Sequence, residues 1–243
     1  MHRFARSATL LPAALATSAL AQSPADAGGK PVAATTSTAA WYLRNEVGGN
    51  LIPSISLRDK SITVGADTVS VSGAELSMDG GVGWNIAFGL RLSDSLALEV
   101  SSGLSYNQFD SVSGTIDVNG TSVSGTTGID GHLLQVPILV GPRLELPLGE
   151  AFRLNVGASV GTIYLNGDLD SDINGVLLSG SDTSWAFAYS ATLGLEWAMA
   201  PNFGLGVAYR FLGTTSASFG EGNLIEAGGI YNQQVLATLT IRF

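Results

Sequence analysis

The sequence predicts an all-β protein, an eight-stranded antiparallel up-and-down transmembrane β-barrel with long extracellular loops and short periplasmic turns. Three observations predict it. Apolar residues alternate with small or polar ones at a period of two through most of the chain from Trp41 onward. The connections between alternating segments are short and long by turns. Mean hydropathy is +0.30, yet beyond the N-terminus there is no run of the roughly 18 apolar residues that a membrane helix needs.

Each element has its own justification. Arg3 and Arg6 precede a short apolar core, Ala8 to Leu20, and Ala19-Leu20-Ala21 fits the small-x-small rule, so residues 1–21 read as a signal peptide cut before Gln22. Residues 22–40 are rich in Pro, Ala, Thr and Ser without periodicity and read as a flexible periplasmic N-terminal segment. The barrel is expected over 41–243, with strands near 41–52, 82–93, 95–107, 132–146, 151–165, 184–198, 203–212 and 233–243. In the second of these, Val82, Trp84, Ile86, Phe88, Leu90 and Leu92 oppose Gly83, Asn85, Ala87, Gly89, Arg91 and Ser93. Eight is an even number, as a closed antiparallel barrel in one bacterial chain normally requires. Ser93-Asp94-Ser95, Pro147-Leu148-Gly149-Glu150 and Ala200-Pro201-Asn202 are tight turns. The long connections fall near 53–81, 108–131, 166–183 and 213–232, and Asn119-Gly120 and Asn174-Gly175 mark hairpin tips in two of them.

Alternation alone fits a soluble barrel with its apolar phase inside as well as a membrane barrel with that phase outside. Side-chain size separates the two. The apolar phase carries all four Trp and many Leu, while the other phase is mostly Gly, Ala, Ser and Asn with a few charges. The interior of an eight-stranded barrel is just wide enough for side chains, so the bulky set belongs on the lipid side. Trp41 and Trp197 then fall at the short-turn end and Trp84 and Trp185 at the long-loop end, as aromatic girdles at the two bilayer interfaces would.

The segments DGGVGWNIAFGLRL from Asp79, LLQVPILVGPRLELPLG from Leu133, FAYSATLGLEW from Phe187, GLGVAYRFLG from Gly204 and the terminal Phe243 carry a resemblance. From Trp41 to Phe243 the sequence resembles the small eight-stranded outer-membrane β-barrel proteins of Gram-negative bacteria, the OmpA-like and Opa-like group often labelled porin family proteins. The resemblance implies a place in the outer membrane, among lipid and lipopolysaccharide. It also implies that Phe243 is part of the signal read by the barrel-assembly machinery. No peptidoglycan-binding domain of the OmpA kind is expected after the last strand.

Charge sharpens the picture. The net charge is -9, and loss of Arg3 and Arg6 with the signal peptide takes it to -11. Such acidity excludes nucleic acid as a partner, because phosphate binding needs a basic face. The absence of cysteine excludes disulfides and thiolate chemistry. The inward phase nevertheless contains Arg44, Glu46, Arg91, Glu99, Arg143, Glu145, Arg153, Glu196, Arg210 and Arg242, six arginines against four glutamates. Charges of both signs in a narrow lumen are expected to pair and plug it; the alternative is a selectivity ring in a narrow pore.

Chemistry beyond this is sparse. His132 is the one histidine left after the signal peptide, close to Asp130 and loop serines. Some outer-membrane barrels deacylate lipid A with a Ser-His-acid arrangement, but no such motif surrounds His132, and an interface residue is the expectation. Asp170, Asp172, Asn174 and Gly175 match the start of a calcium loop, D-x-D-x-N-G, with Ser181 where the bidentate Glu belongs; solvated aspartates beside a hairpin turn are the other account. No catalytic residue and no cofactor is expected. The expected role is structural or surface-interacting, in a monomer whose loops meet an extracellular ligand, with a narrow porin and a lipid A-modifying enzyme as alternatives.

Overall fold

The computed structural model describes residues 40–64, 67–118, 121–173, 176–219 and 225–243. By contacts the chain divides into Met1–Lys30 and Pro31–Phe243, and every described residue lies in the second unit. The expected signal peptide, and all of the expected linker except Ala40, lie outside the described residues.

Eight strands form the barrel: β1 (Trp41–Leu51), β2 (Gly81–Arg91), β3 (Leu96–Val118), β4 (Asp130–Leu148), β5 (Phe152–Ile173), β6 (Val176–Ala200), β7 (Phe203–Thr214) and β8 (Tyr231–Arg242). Each pairs antiparallel with its neighbours in sequence. β8 then pairs back onto β1, from Tyr42↔Arg242 to Leu51↔Gln233. The ring is closed, so each of the eight barrel strands is paired on both sides within it, which is what a chain crossing a bilayer without helices must achieve.

The short-turn rim follows from turn chemistry. Ser93 Oγ accepts from the backbone N–H of Leu96 at 3.1 Å, and the Leu92 N–H donates to the Leu96 carbonyl at 2.8 Å. Gly149 has φ +78°, a left-handed conformation that any side chain would strain. Pro201 and Asn202 make the third turn, and the Asn202 carbonyl accepts from the Arg242 N–H at 2.8 Å. Across the closure, Trp41 and Phe243 exchange backbone hydrogen bonds of 3.2 and 3.0 Å.

The other rim is built differently from expectation, because its connections are mostly β-structure. β3 runs on to Val118, past the expected end near 107, and pairs with a strand over Thr121–Gly128 from Val118↔Thr121 to Ser111↔Gly128. β5 and β6 likewise overshoot 165 and 184 and remain paired up to Ile173↔Val176. Asn119-Gly120 and Asn174-Gly175 lie outside the described residues. Above the bilayer both faces of a strand are wet, so the period-two apolar signal vanishes there. Ser, Thr and Val keep the backbone extended all the same.

The outward face carries a continuous apolar belt. Val47, Phe88, Val100, Val140, Val160, Leu193 and Val235 all stand exposed, Val235 at 66%. Soluble proteins rarely expose contiguous apolar surface on this scale. Aromatic pairs flank the belt. Trp41 stacks on Phe88 with ring centroids 5.1 Å apart at the short-turn end. Tyr164 meets Trp185 edge-on at 5.3 Å, and Tyr189, Phe211 and Tyr231 form a row at the other end.

Candidate functional site

The inward phase places side chains from all eight strands in one narrow lumen, and their character changes along its length. Nearest the short turns lie the ten charged residues the sequence singles out. Eight are buried and two, Arg91 and Glu99, nearly so, with side-chain exposures of 10% and 13%. Arg44 Nη2 donates to Glu99 Oε1 at 2.5 Å, Arg91 Nη2 to Glu145 Oε2 at 2.7 Å, and Arg210 Nη2 to Glu46 Oε2 at 2.6 Å. Arg242 donates to Glu196. Arg44 Nη1 also lies 3.1 Å from Glu46 Oε1, which joins three strands into one network. Arg143 and Arg153 are held more loosely: Arg143 lies 3.6 Å from Glu99 and 3.7 Å from Glu145, and Arg153 lies 3.8 Å from Glu196.

Small residues on neighbouring strands make room for these long side chains. Tyr42 lays its ring over Gly89 and donates its hydroxyl to Glu99 Oε2 at 2.9 Å. A Cβ at residue 89 would stand 2.0 Å from Tyr42 Cζ. Glu196 fills the space beside Gly204 in the same way, 2.7 Å from where that residue's Cβ would be. The excess glycine of the composition is therefore the complement of large inward groups as well as a feature of turns.

Midway along the lumen a belt of amides and hydroxyls replaces the charges. Gln234 donates to Ser105 Oγ at 2.8 Å and accepts from Asn85 at 3.4 Å. Asn232 donates to Gln135 Oε1 at 2.7 Å, and the hydroxyls of Ser159 and Ser190 are 2.7 Å apart. Toward the long loops the inward phase turns apolar. Leu133, Leu139, Ile163, Leu165 and Leu212 from the barrel wall pack with Ile52, Ile55, Ala217, Ala227 and Ile230, which the loops fold inward, and Leu57, Leu76, Met78 and Phe109 cover them. This cap differs from the small, polar lumen expected throughout. The inward aliphatics of β4, β5 and β7 were its sequence signal. The loop residues gave none, because nothing periodic marks a segment that folds back over a barrel mouth. The amide belt was legible in principle: Asn50 follows Arg44 and Glu46 in phase, and Gln234 precedes Arg242 in phase.

The remaining candidates fall elsewhere. Trp41 and Trp197 stand exposed at the short-turn end, and Trp84 and Trp185 stand exposed on the outer face toward the long loops, with Trp185 at 61%. Trp84 Nε1 donates to Asn45 Oδ1 at 2.8 Å. His132 alternates with the inward Leu133 and so faces outward, stacked on Tyr106 with centroids 5.1 Å apart. Asp170 and Asp172 lie in the paired part of β5, opposite Asp130 and Leu177 respectively. The calcium reading lies outside the described residues, since Asn174 and the two aspartate side chains are not among them.

A closed eight-strand ring with a polar lumen and a lipid-facing belt defines an architecture, and comparison with known proteins gives it a family. The sequence matches the family described as Outer membrane protein beta-barrel domain over residues 8–243. The chain belongs to that family. It is an outer membrane protein. No curated protein matches it. Among solved structures, Neisserial surface protein A is 13% identical at a TM-score of 0.47, over 84% of this chain and 97% of its own. Ail, the attachment invasion locus protein of Yersinia pestis, crystallised with the heparin analogue sucrose octasulfate, is 12% identical at 0.42, over 83% and 99%. The outer membrane protease OmpT of Escherichia coli is 10% identical at 0.48, over 86% and 100%.

Proposed function

We propose that this outer membrane barrel is a closed scaffold with a structural or surface-interaction role, presenting its four loop regions to the cell exterior and passing no solute through its lumen. One observation carries the reading: the lumen is obstructed at two separate levels. The periplasmic half is filled by arginine and glutamate side chains in mutual contact, and the extracellular mouth by aliphatic side chains from wall and loops. Opening a path would mean desolvating or unpairing buried charges at one level and exposing apolar surface at the other. The reading is non-enzymatic, because His132 is engaged with Tyr106 on the outer face and not with a hydroxyl nucleophile.

Liposome swelling tests the transport half directly. Proteoliposomes diluted into arabinose or glycine are expected to swell no faster than protein-free liposomes; faster swelling would favour the narrow porin. Autoaggregation of cells displaying the protein tests the surface half. It is expected to fall when residues 112–127 are replaced by a two-residue turn and to be indifferent to lumen substitutions. Lipid A from cells with and without the protein is expected to have the same mass spectrum, and a deacylated species appearing with the protein would overturn the non-enzymatic reading.

A further inference from the structure

We propose that the barrel lumen binds a small monovalent inorganic anion of the halide class at Arg143. Charge is unevenly shared among the lumen side chains. Four of the six lumen arginines each take a different glutamate at hydrogen-bonding distance: Arg44 takes Glu99, Arg91 takes Glu145, Arg210 takes Glu46 and Arg242 takes Glu196. That uses all four carboxylates once. Arg143 and Arg153 are held only by longer ion pairs among the described residues, Arg143 at 3.6 Å from Glu99 and 3.7 Å from Glu145, and Arg153 at 3.8 Å from Glu196. Six arginines against four glutamates leave the lumen set with two uncompensated positive charges, which is disfavoured unless something supplies further opposite charge.

The surplus at Arg143 adjoins empty space. A cavity of about 20 Å³ lies in the lumen between Arg44, Arg143 and Arg210, with Ser101, Ser159 and Thr192 completing its polar wall. That is room for one occupant of about water size. Arg143 is 4% exposed, and its Nε, like those of Arg44 and Arg210, is buried without a hydrogen-bond partner among the described residues. Glu99 also borders the cavity, but its two oxygens already accept from Arg44 at 2.5 Å and from Tyr42 at 2.9 Å. Three guanidinium groups and three hydroxyls offer donors on many sides. A halide accepts such bonds, requires no donor in return and supplies the missing negative charge. Water accepts about two of these bonds and leaves the charge uncompensated, while sulfate and organic anions exceed the space. The site does not rest on the proposed surface role, since it needs only these side chains and a folded barrel.

The test is thermal unfolding of the full protein folded in detergent, at constant ionic strength, with chloride exchanged for gluconate, an anion too large for the cavity. Tm is expected to rise saturably by a few degrees with chloride in the native protein and in Arg153→Gln, and to show no chloride response in Arg143→Gln. Equal Tm in the two salts overturns the proposal, and so does a chloride response that survives Arg143→Gln. Should Arg143→Gln fail to fold, bromide-soaked crystals of the native protein decide. An anomalous peak between Arg143, Ser159 and Thr192 supports the site, and a cavity holding water alone overturns it.

Discussion

At Gly89 the absence of a side chain is what allows Tyr42 to reach Glu99. The ring occupies the volume a Cβ would need, and the barrel wall cannot yield without breaking ladder hydrogen bonds. Gly89→Ala is therefore expected to displace Tyr42, break its bond to Glu99 and lower stability by about 1–3 kcal/mol; an unchanged urea midpoint in detergent would contradict this. Glu196 is more exposed to substitution still. It is the carboxylate beside both Arg242 and Arg153, so Glu196→Gln is expected to cost about 3–5 kcal/mol, as removal of one partner from a buried ion pair does. The phase of each charged residue could be read from sequence, but its partner could not. Arg44 is opposite Ala87 in the ladder and Glu99 is opposite Gly89, yet the two side chains meet. Such contacts depend on barrel stagger and on side-chain length reaching across a row, neither of which alternation encodes.

The strands themselves were the most legible elements. Lipid on one side and a crowded lumen on the other impose opposite demands on successive residues, and the seven in-phase apolar residues from Trp185 to Trp197 are the direct result. Those twelve steps at roughly 3.3 Å, on a strand tilted by about 40°, span about 30 Å along the barrel axis, comparable to the apolar band and its interfaces. Outside that band the constraint lapses, which is why the ends of β3 and β5 were placed too early and the start of β6 too late. Beyond Asp110 the extension of β3 pairs with Thr121–Gly128 along one edge and with Asp67–Met78 along the other. Replacing residues 112–127 by Asn-Gly removes a sheet partner of Asp67–Met78 but none of the ring pairings, which end at Gln108 on this strand, and is expected to leave the heat-modifiable gel mobility of the barrel unchanged. Loss of the folded band would show that the extracellular sheet is part of the barrel's stability.

For the molecule as a whole, closure of the ring and the proposed closure of the lumen rest on different residues. The ring follows from strand count and turn chemistry and was readable in advance; the mouth depends on loops that fold inward and was not. The lumen charges sum to a small positive value while the chain carries -9, so the acidity belongs to turns and loops and gives the cell-facing surface its sign. On the proposed reading, side chains fill the lumen at both ends. Planar-bilayer recording of the native protein in concentrated KCl is therefore expected to give a flat current without discrete steps after insertion, and reproducible unitary steps from the folded protein would show a continuous path through it.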